Sequence, residues 1–201
     1  MNMWDNRYSE PGFAYGVEPN EFLAAHADTL PAGRVLCLAE GEGRNAVFLA
    51  KRGLAAHAMD LSAVGLNKAA ELAAREGVTI TTEVADLGNV TLRPDYWNSI
   101  VSIFAHMPAA ARRHLHAEVV RALAPGGVFV LEAFTSRQLD IGGVGGPGRH
   151  QLDFFMSLAA LEDELKGLDL LHAAEIDREI NEGKFHRGRC AVVQVVARKR
   201  A

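Results

Sequence analysis

Residues 34–50 read RVLCLAEGEGRNAVFLA. An apolar run from Val35 to Ala39 stops at Glu40-Gly41-Glu42-Gly43, and Arg44-Asn45 opens a segment with helical apolar spacing. A short apolar run bounded by turn residues predicts a buried strand, and the pattern after it predicts a helix. A glycine-rich turn between strand and helix is the usual place for a cofactor, because the helix N-terminus offers free N–H groups. This turn carries two carboxylates where a phosphate would want none.

The same alternation continues outward. Before the turn, residues 18–30 predict a helix started by Pro19-Asn20 and ended by Pro31. After it, residues 54–59 predict a strand ending at Asp60. Ser62 caps a helix that runs to Glu76, with Gly77 as its stop. Residues 78–85 predict a β-branched strand ending at Asp86, and residues 97–104 a fourth strand ending near His106. A helix over 108–124 and a fifth strand over 128–134 follow. Residues 135–151 are glycine-rich and too long for an ordinary connection, so they predict a functional loop. A helix from 157 to 166 precedes two late strands, 168–180 and 189–199, read as an antiparallel pair. Five strand–helix alternations predict an α/β fold of the Rossmann-like, doubly wound type, with a mostly parallel sheet and helices on both faces. In such a fold ligands bind beyond the carboxyl ends of the strands.

Bulk properties narrow the partners. The 201 residues are enough for one domain with a sizeable core, and 49% hydrophobic with 23% charged is the balance of a globular protein. A net charge of −4 without a lysine or arginine block gives no footprint for nucleic acid. No apolar run reaches the length of a membrane helix, and the polar, aromatic N-terminus lacks the apolar core of a signal peptide. Cys37 and Cys190 lie in apolar runs and are read as reduced core residues, so the expected compartment is the cytoplasm. The eight histidines are too scattered for a metal site.

The turn admits two cofactors. Gly41-x-Gly43-x-x-Ala46 fits the dinucleotide fingerprint, and Asp60 lies 19 residues beyond Gly41, where an acid holds a ribose diol. An NAD-dependent oxidoreductase is therefore one reading. Electrostatics oppose it: a pyrophosphate would sit against Glu40 and Glu42, offset only by Arg44. S-adenosyl-L-methionine (SAM) removes the conflict. Its cationic amino-acid part suits Glu40, its carboxylate the turn N–H groups, its diol Asp60, and its adenine Asp86.

"CLAEGEGRN", "AMD", "VADL" and "LAPGGVFVLEAF", in that order, resemble the successive motifs of the class I SAM-dependent methyltransferases. "MWDNRYSEPGFAYGVEPNEFL", "SIFAHMP", "GGPG" and "EGKFHRGRCAVVQVVARK" are similar to the thiopurine and tellurite-resistance methyltransferase group. The resemblance implies one methyltransferase domain over residues 1–201, with a seven-stranded sheet whose last strand is antiparallel. It implies methyl transfer from SAM to a small-molecule acceptor such as a thiol or a metalloid, with a non-catalytic SAM-binding protein as a further alternative. Cofactor contacts are expected from Tyr15, Glu40, Gly41, Glu42, Gly43, Arg44, Asn45, Asp60, Leu61, Ala85, Asp86, Leu87, Phe104 and Ala105. Catalytic roles are expected from His106, His186 and Arg7, the histidines as bases. Residues 1–30, with Trp4, Arg7, Tyr8 and Tyr15, are expected to act as a lid. Residues 135–155 are expected near the acceptor, with His150 and Arg189 as further candidates to face it. Oligomeric state is not legible.

Overall fold

The computed structural model describes residues 2–201. Seven strands form one sheet: β1 (Arg34–Leu38), β2 (Ala55–Asp60), β3 (Thr81–Val84), β4 (Trp97–Ile103), β5 (Leu123–Phe134), β6 (Leu168–Glu182) and β7 (His186–Lys199). Their spatial order is β3-β2-β1-β4-β5-β7-β6. The pairs among β1 to β5 are parallel, and β7 runs antiparallel between β5 and β6. The expected doubly wound sheet and its antiparallel last strand are both present. The order reverses between β1 and β4, so the crevice of an open α/β sheet opens there.

Alternation along the strands shows why both faces must be covered. Leu36 and Leu38 of β1 pack on one face with Ile100, Phe129 and Leu131. Val35 and Cys37 pack on the other with Val101 and Val130. The first face is closed by α5 (Ala109–Ala122) and α7 (Leu158–Glu164), through Leu115, Val119 and Leu161. The second is closed by α2 (Glu21–His26), α3 (Arg44–Lys51) and α4 (Ala63–Arg75), through Leu23, Leu49 and Leu66. Each fully buried side chain of this kind contributes about 1.5–3 kcal/mol of transfer free energy. Both cysteines are free and buried, as expected of core residues.

Boundaries moved where backbone bonding overrides pattern. The second helix is shorter than expected, because the chain tightens into a 3-10 turn at Ala27–Thr29. β3 begins at Thr81 because the Val78 N–H closes the preceding helix on Ala73 O. The hairpin strands extend further than their apolar patterns, pairing to Glu182↔His186 around a turn at Gly183. Two short helices were not expected: α1 (Met3–Tyr8), capped by Asn2, and α6 (Gln138–Ile141) inside the glycine-rich segment. That segment is sewn to β7: Val144 and Arg187 exchange backbone bonds, and the Gln138 side chain accepts from Ala191 N–H. No helix among the described residues is long and apolar enough to cross a membrane.

Candidate functional site

A cavity of about 700 Å³ opens at the carboxyl ends of β1, β2 and β4. The N-terminal arm, the segment 144–151 and the β6–β7 turn complete its walls. Two strand ends enter it in strained form: Ala39 and Phe104 both have left-handed backbones, with φ of 51° and 54°. Non-glycine residues rarely adopt that region, and they cluster where a site needs a sharp change of direction.

Glu40 answers the question of the turn. Its Oε1 accepts from the N–H groups of Asn45 and Ala46 at 2.9 and 2.8 Å. The carboxylate thus fills the N-terminus of α3, the place a pyrophosphate would take. Burial pushes its pKa up to about 7, against the two backbone N–H donors and Arg44, which lower it. Asp60 Oδ2 accepts from Gly41 N–H and Oδ1 from Ser62 N–H, both under 3.0 Å. Burial raises its pKa as well. Glu42 faces the cavity but holds the arm: Oε2 accepts from Ala14 N–H at 2.6 Å and Oε1 from Lys68 Nζ at 2.7 Å. Asp86 closes its own turn, accepting from Gly88 N–H and the Asn89 amide.

Arg44 is buried beside this cluster. One end pairs with Glu182 at 2.6 Å, whereas its Nη1 is buried without a partner among the described residues. Behind it, Glu132, Arg178, Asn20 and Gln194 form a buried polar network with Glu182. Burial would raise the pKa of Glu182, but His186, Arg44 and Arg178 outweigh it and hold it at about 2.

Of the expected site residues, Arg7, Tyr15, Glu40, Glu42, Arg44, Asn45, Asp60, Leu61, Asp86, Leu87, Phe104, Ala105, His106 and His186 line the cavity. Gly41, Gly43 and Ala85 are not among its lining residues. Gly41 and Gly43 serve packing. A Cβ on Gly41 would meet Tyr8 Oη at 2.5 Å, and one on Gly43 would meet Ala69 at 2.5 Å. Ala85 packs against the core. The Gly41 N–H, one of the turn groups expected to meet a ligand carboxylate, donates to Asp60 Oδ2.

His106 lines the cavity with both ring nitrogens bonded. Its Nδ1 donates to Phe154 O at 3.0 Å and its Nε2 accepts from Phe134 N–H at 3.2 Å. Burial lowers its pKa to about 4. His186 is different: its buried Nδ1 makes no hydrogen bond among the described residues and lies 4.0 Å from Glu182. Burial lowers its pKa, with Glu182 acting in the opposite sense. His150 lines the cavity, but Arg189 pairs with Asp177 outside it. Met3, Gly145, Gly146, Phe154 and Phe185 also line it. Met3 lies in the segment expected as a lid and Gly145, Gly146 and Phe154 in the segment expected near the acceptor, whereas Phe185 was not singled out.

The acids at the β1 and β2 ends fit a cationic ligand, and the orphaned Arg44 Nη1 fits a ligand carboxylate. The two together suit the charges of SAM, and Glu40 already takes the α3 N–H groups that would hold a pyrophosphate.

Comparison with known proteins agrees. Residues 35–127 match the family described as a methyltransferase domain. A relative from Mycobacteroides abscessus, 2-heptyl-1-hydroxyquinolin-4(1H)-one methyltransferase, is 34% identical over 112 residues. The match covers 54% of this chain and 47% of that protein, so the chain spans about half the length of its curated relative. TehB from Haemophilus influenzae superposes with a TM-score of 0.71 at 21% identity, over 90% of this chain and 62% of that one. Phosphoethanolamine N-methyltransferase 2 from Haemonchus contortus, solved with phosphomonomethylethanolamine and S-adenosylhomocysteine, gives a TM-score of 0.67 at 17% identity, over 92% of this chain and 54% of that one. Residues 35–127 thus resemble a methyltransferase domain, and the chain has the Rossmann-like fold of these solved structures.

Proposed function

We propose that the chain transfers the methyl group of SAM to a small-molecule acceptor. The observation that carries this reading is the Glu40 carboxylate seated in the N-terminus of α3. It occupies the anion site of a dinucleotide enzyme and presents negative charge to the cavity instead. In this reading Glu40 faces the cofactor's ammonium, Arg44 its carboxylate, Asp60 its diol, and Leu87 with Asp86 its adenine. When bound, SAM supplies a methyl carbon on a good leaving group, taken in one in-line displacement. The protein's work is then to orient the acceptor and exclude water. The arm, with Tyr8 on the turn and Tyr15 on the cavity wall, is the lid that excludes it. His186 is the histidine left to take a proton from an acceptor that brings one. The buried, free cysteines support a cytoplasmic setting.

The acceptor classes to screen are thiols and metalloid oxyanions, from the sequence resemblance, and hydroxylated aromatic heterocycles, from the relative's substrate. Calorimetric titration with SAM, S-adenosylhomocysteine and NAD tests the cofactor. SAM and its product should bind, NAD should not, and Asp60→Ala should weaken binding of the first two. Binding of NAD without SAM would overturn the proposal. Transfer of labelled methyl from SAM across the acceptor panel then tests turnover, and no transfer to any class would leave a binding protein.

A further inference from the structure

The cavity is divided by charge. Its four carboxylates, Glu40, Glu42, Asp60 and Asp86, all lie at or just beyond the ends of β1, β2 and β3. Among the described residues, no Asp or Glu lines the opposite end, beyond β4 and β5. That end is walled by aromatic rings. His186 lies 4.5 Å from both Phe104 and Tyr15, centroid to centroid, and Tyr15 lies 6.0 Å from Phe185. Glycines keep the facing wall thin: a Cβ on Gly145 would come within 2.8 Å of the His186 ring and 3.0 Å of Phe134.

One cation hangs over this aromatic end. The Arg7 guanidinium lies 4.4 Å from the Phe185 ring centroid, and its Nη1 donates to Tyr15 Oη at 2.9 Å. Its partners are a hydroxyl and aromatic faces; among the described residues it forms no ion pair. A half-buried cation held without a counter-charge is a standing electrostatic preference for an anion. Arg44 differs, since Glu182 neutralises it.

We infer that this end of the cavity binds a flat aromatic acceptor through an ionised ring hydroxyl, and that Arg7 is the residue that selects it. The inference rests on the methyl-transfer reading and names its acceptor class. The rings supply stacking surface, worth about 0.5–1.5 kcal/mol for each well-placed pair. Arg7 supplies the charge, and the absence of carboxylates disfavours an amine or other cation. In the reaction, an oxygen lone pair of the aryl oxyanion forms the new O–C bond. The C–S bond breaks and its electron pair stays on sulfur, giving an aryl methyl ether and neutral S-adenosylhomocysteine. The hydroxyl proton has already gone to solvent, so the engaged nitrogens of His106 are no obstacle and no protein base is required.

The test uses 7-hydroxycoumarin, whose neutral and ionised forms excite at different wavelengths, titrated into the full chain with and without saturating S-adenosylhomocysteine. The bound probe should be the anion, its ionisation midpoint lowered by about one pH unit or more. 7-Methoxycoumarin and 7-aminocoumarin should bind about tenfold more weakly. Arg7→Gln should abolish the midpoint shift and cost about tenfold in probe affinity, while Arg7→Lys keeps part of both. Affinity for S-adenosylhomocysteine, measured by calorimetry, should stay within a few-fold in both variants. The inference is overturned by a neutral bound probe, by no probe binding, by equal binding of the amine, or by an unchanged Arg7→Gln. It is also overturned if Arg7→Gln loses S-adenosylhomocysteine instead, since Arg7 would then belong to the cofactor. Failure of the wild-type chain to bind S-adenosylhomocysteine sinks the methyl-transfer reading, whereas the titration without it still judges the aryl-oxyanion site.

Discussion

Glu40 and His106 show how single side chains can be read two ways until their partners are known. Glu40 combines burial with a cap on α3, and its pKa of about 7 puts its charge at risk near neutrality. A cation arriving beside it lowers that value, so binding of SAM releases a proton. Affinity should therefore rise as pH increases through about 7, and calorimetry in buffers of different ionisation heat should detect the release. Glu40→Gln retains an oxygen for the two N–H donors but loses the charge. It should weaken SAM binding by about 2 kcal/mol, roughly 30-fold, and remove the pH dependence. Its folded state should be no less stable at pH 8, because the wild-type carboxylate, raised from 4.5, is disfavoured there by burial. A large loss of stability with unchanged SAM affinity would mean that Glu40 is only a cap. His106 runs the other way. Its folded pKa of about 4 lies below the ordinary 6.5, so the stability linked to its neutral form is complete above pH 6.5. That stability is lost as pH falls from 6.5 towards 4. Thermal melts of wild type and His106→Asn across this window should converge at the acid end; parallel curves would reject the assignment.

At the scale of elements, α7 is held to α5 by a buried cluster. Arg112 donates to Glu164 through Nε and Nη2, and its Nη1 reaches the carbonyls of Asp153 and Phe155. His116 Nδ1 lies 2.6 Å from Glu164 Oε2. Burial alone would raise the Glu164 pKa, but His116 and Arg112 bring it down to about 2. The cluster fixes the segment that carries Phe154 into the cavity wall. Glu164→Ala strands Arg112 and His116 without their shared partner and should cost about 3–5 kcal/mol in urea unfolding. A loss under 1 kcal/mol would show that the contact is compensated by water. The glycine-rich segment illustrates a similar dependence on distant partners. Its local sequence predicts a loop, yet Val144 pairs with Arg187 and Gln138 with Ala191, so backbone bonds from β7 order it.

For the whole molecule, the cavity exists because three remote pieces of chain meet over the switch point. The arm is anchored by Glu42 to Ala14, by Lys68 to the carbonyls of Glu10 and Gly12, and by Asp5 to Ser62. It also rests on Gly183 in the β6–β7 turn, where a Cβ would meet Ala14 O and Tyr15 at 2.5 Å. Gly183→Ala should therefore lift the arm, since φ is +69° and no room remains. Hydrogen exchange should speed up over residues 3–16, with S-adenosylhomocysteine affinity reduced about tenfold and the sheet unaffected. Unchanged exchange in the arm would show that it does not depend on the turn. The parallel sheet and the turn at Glu40 were legible in the sequence, because strand burial and glycine punctuation are local patterns with a period. So was the choice against a dinucleotide, because Glu40 and Glu42 place two carboxyl groups in one short turn whatever the rest of the chain does. Tertiary structure alone decided that Glu42 holds the arm, that His106 has no free nitrogen, and that Arg7, Phe185 and Gly145 share a wall. Those facts depend on which hydrogen-bond partner or neighbouring ring lies within a few ångströms, and residues far apart in the chain acquire that relation only when the sheet closes.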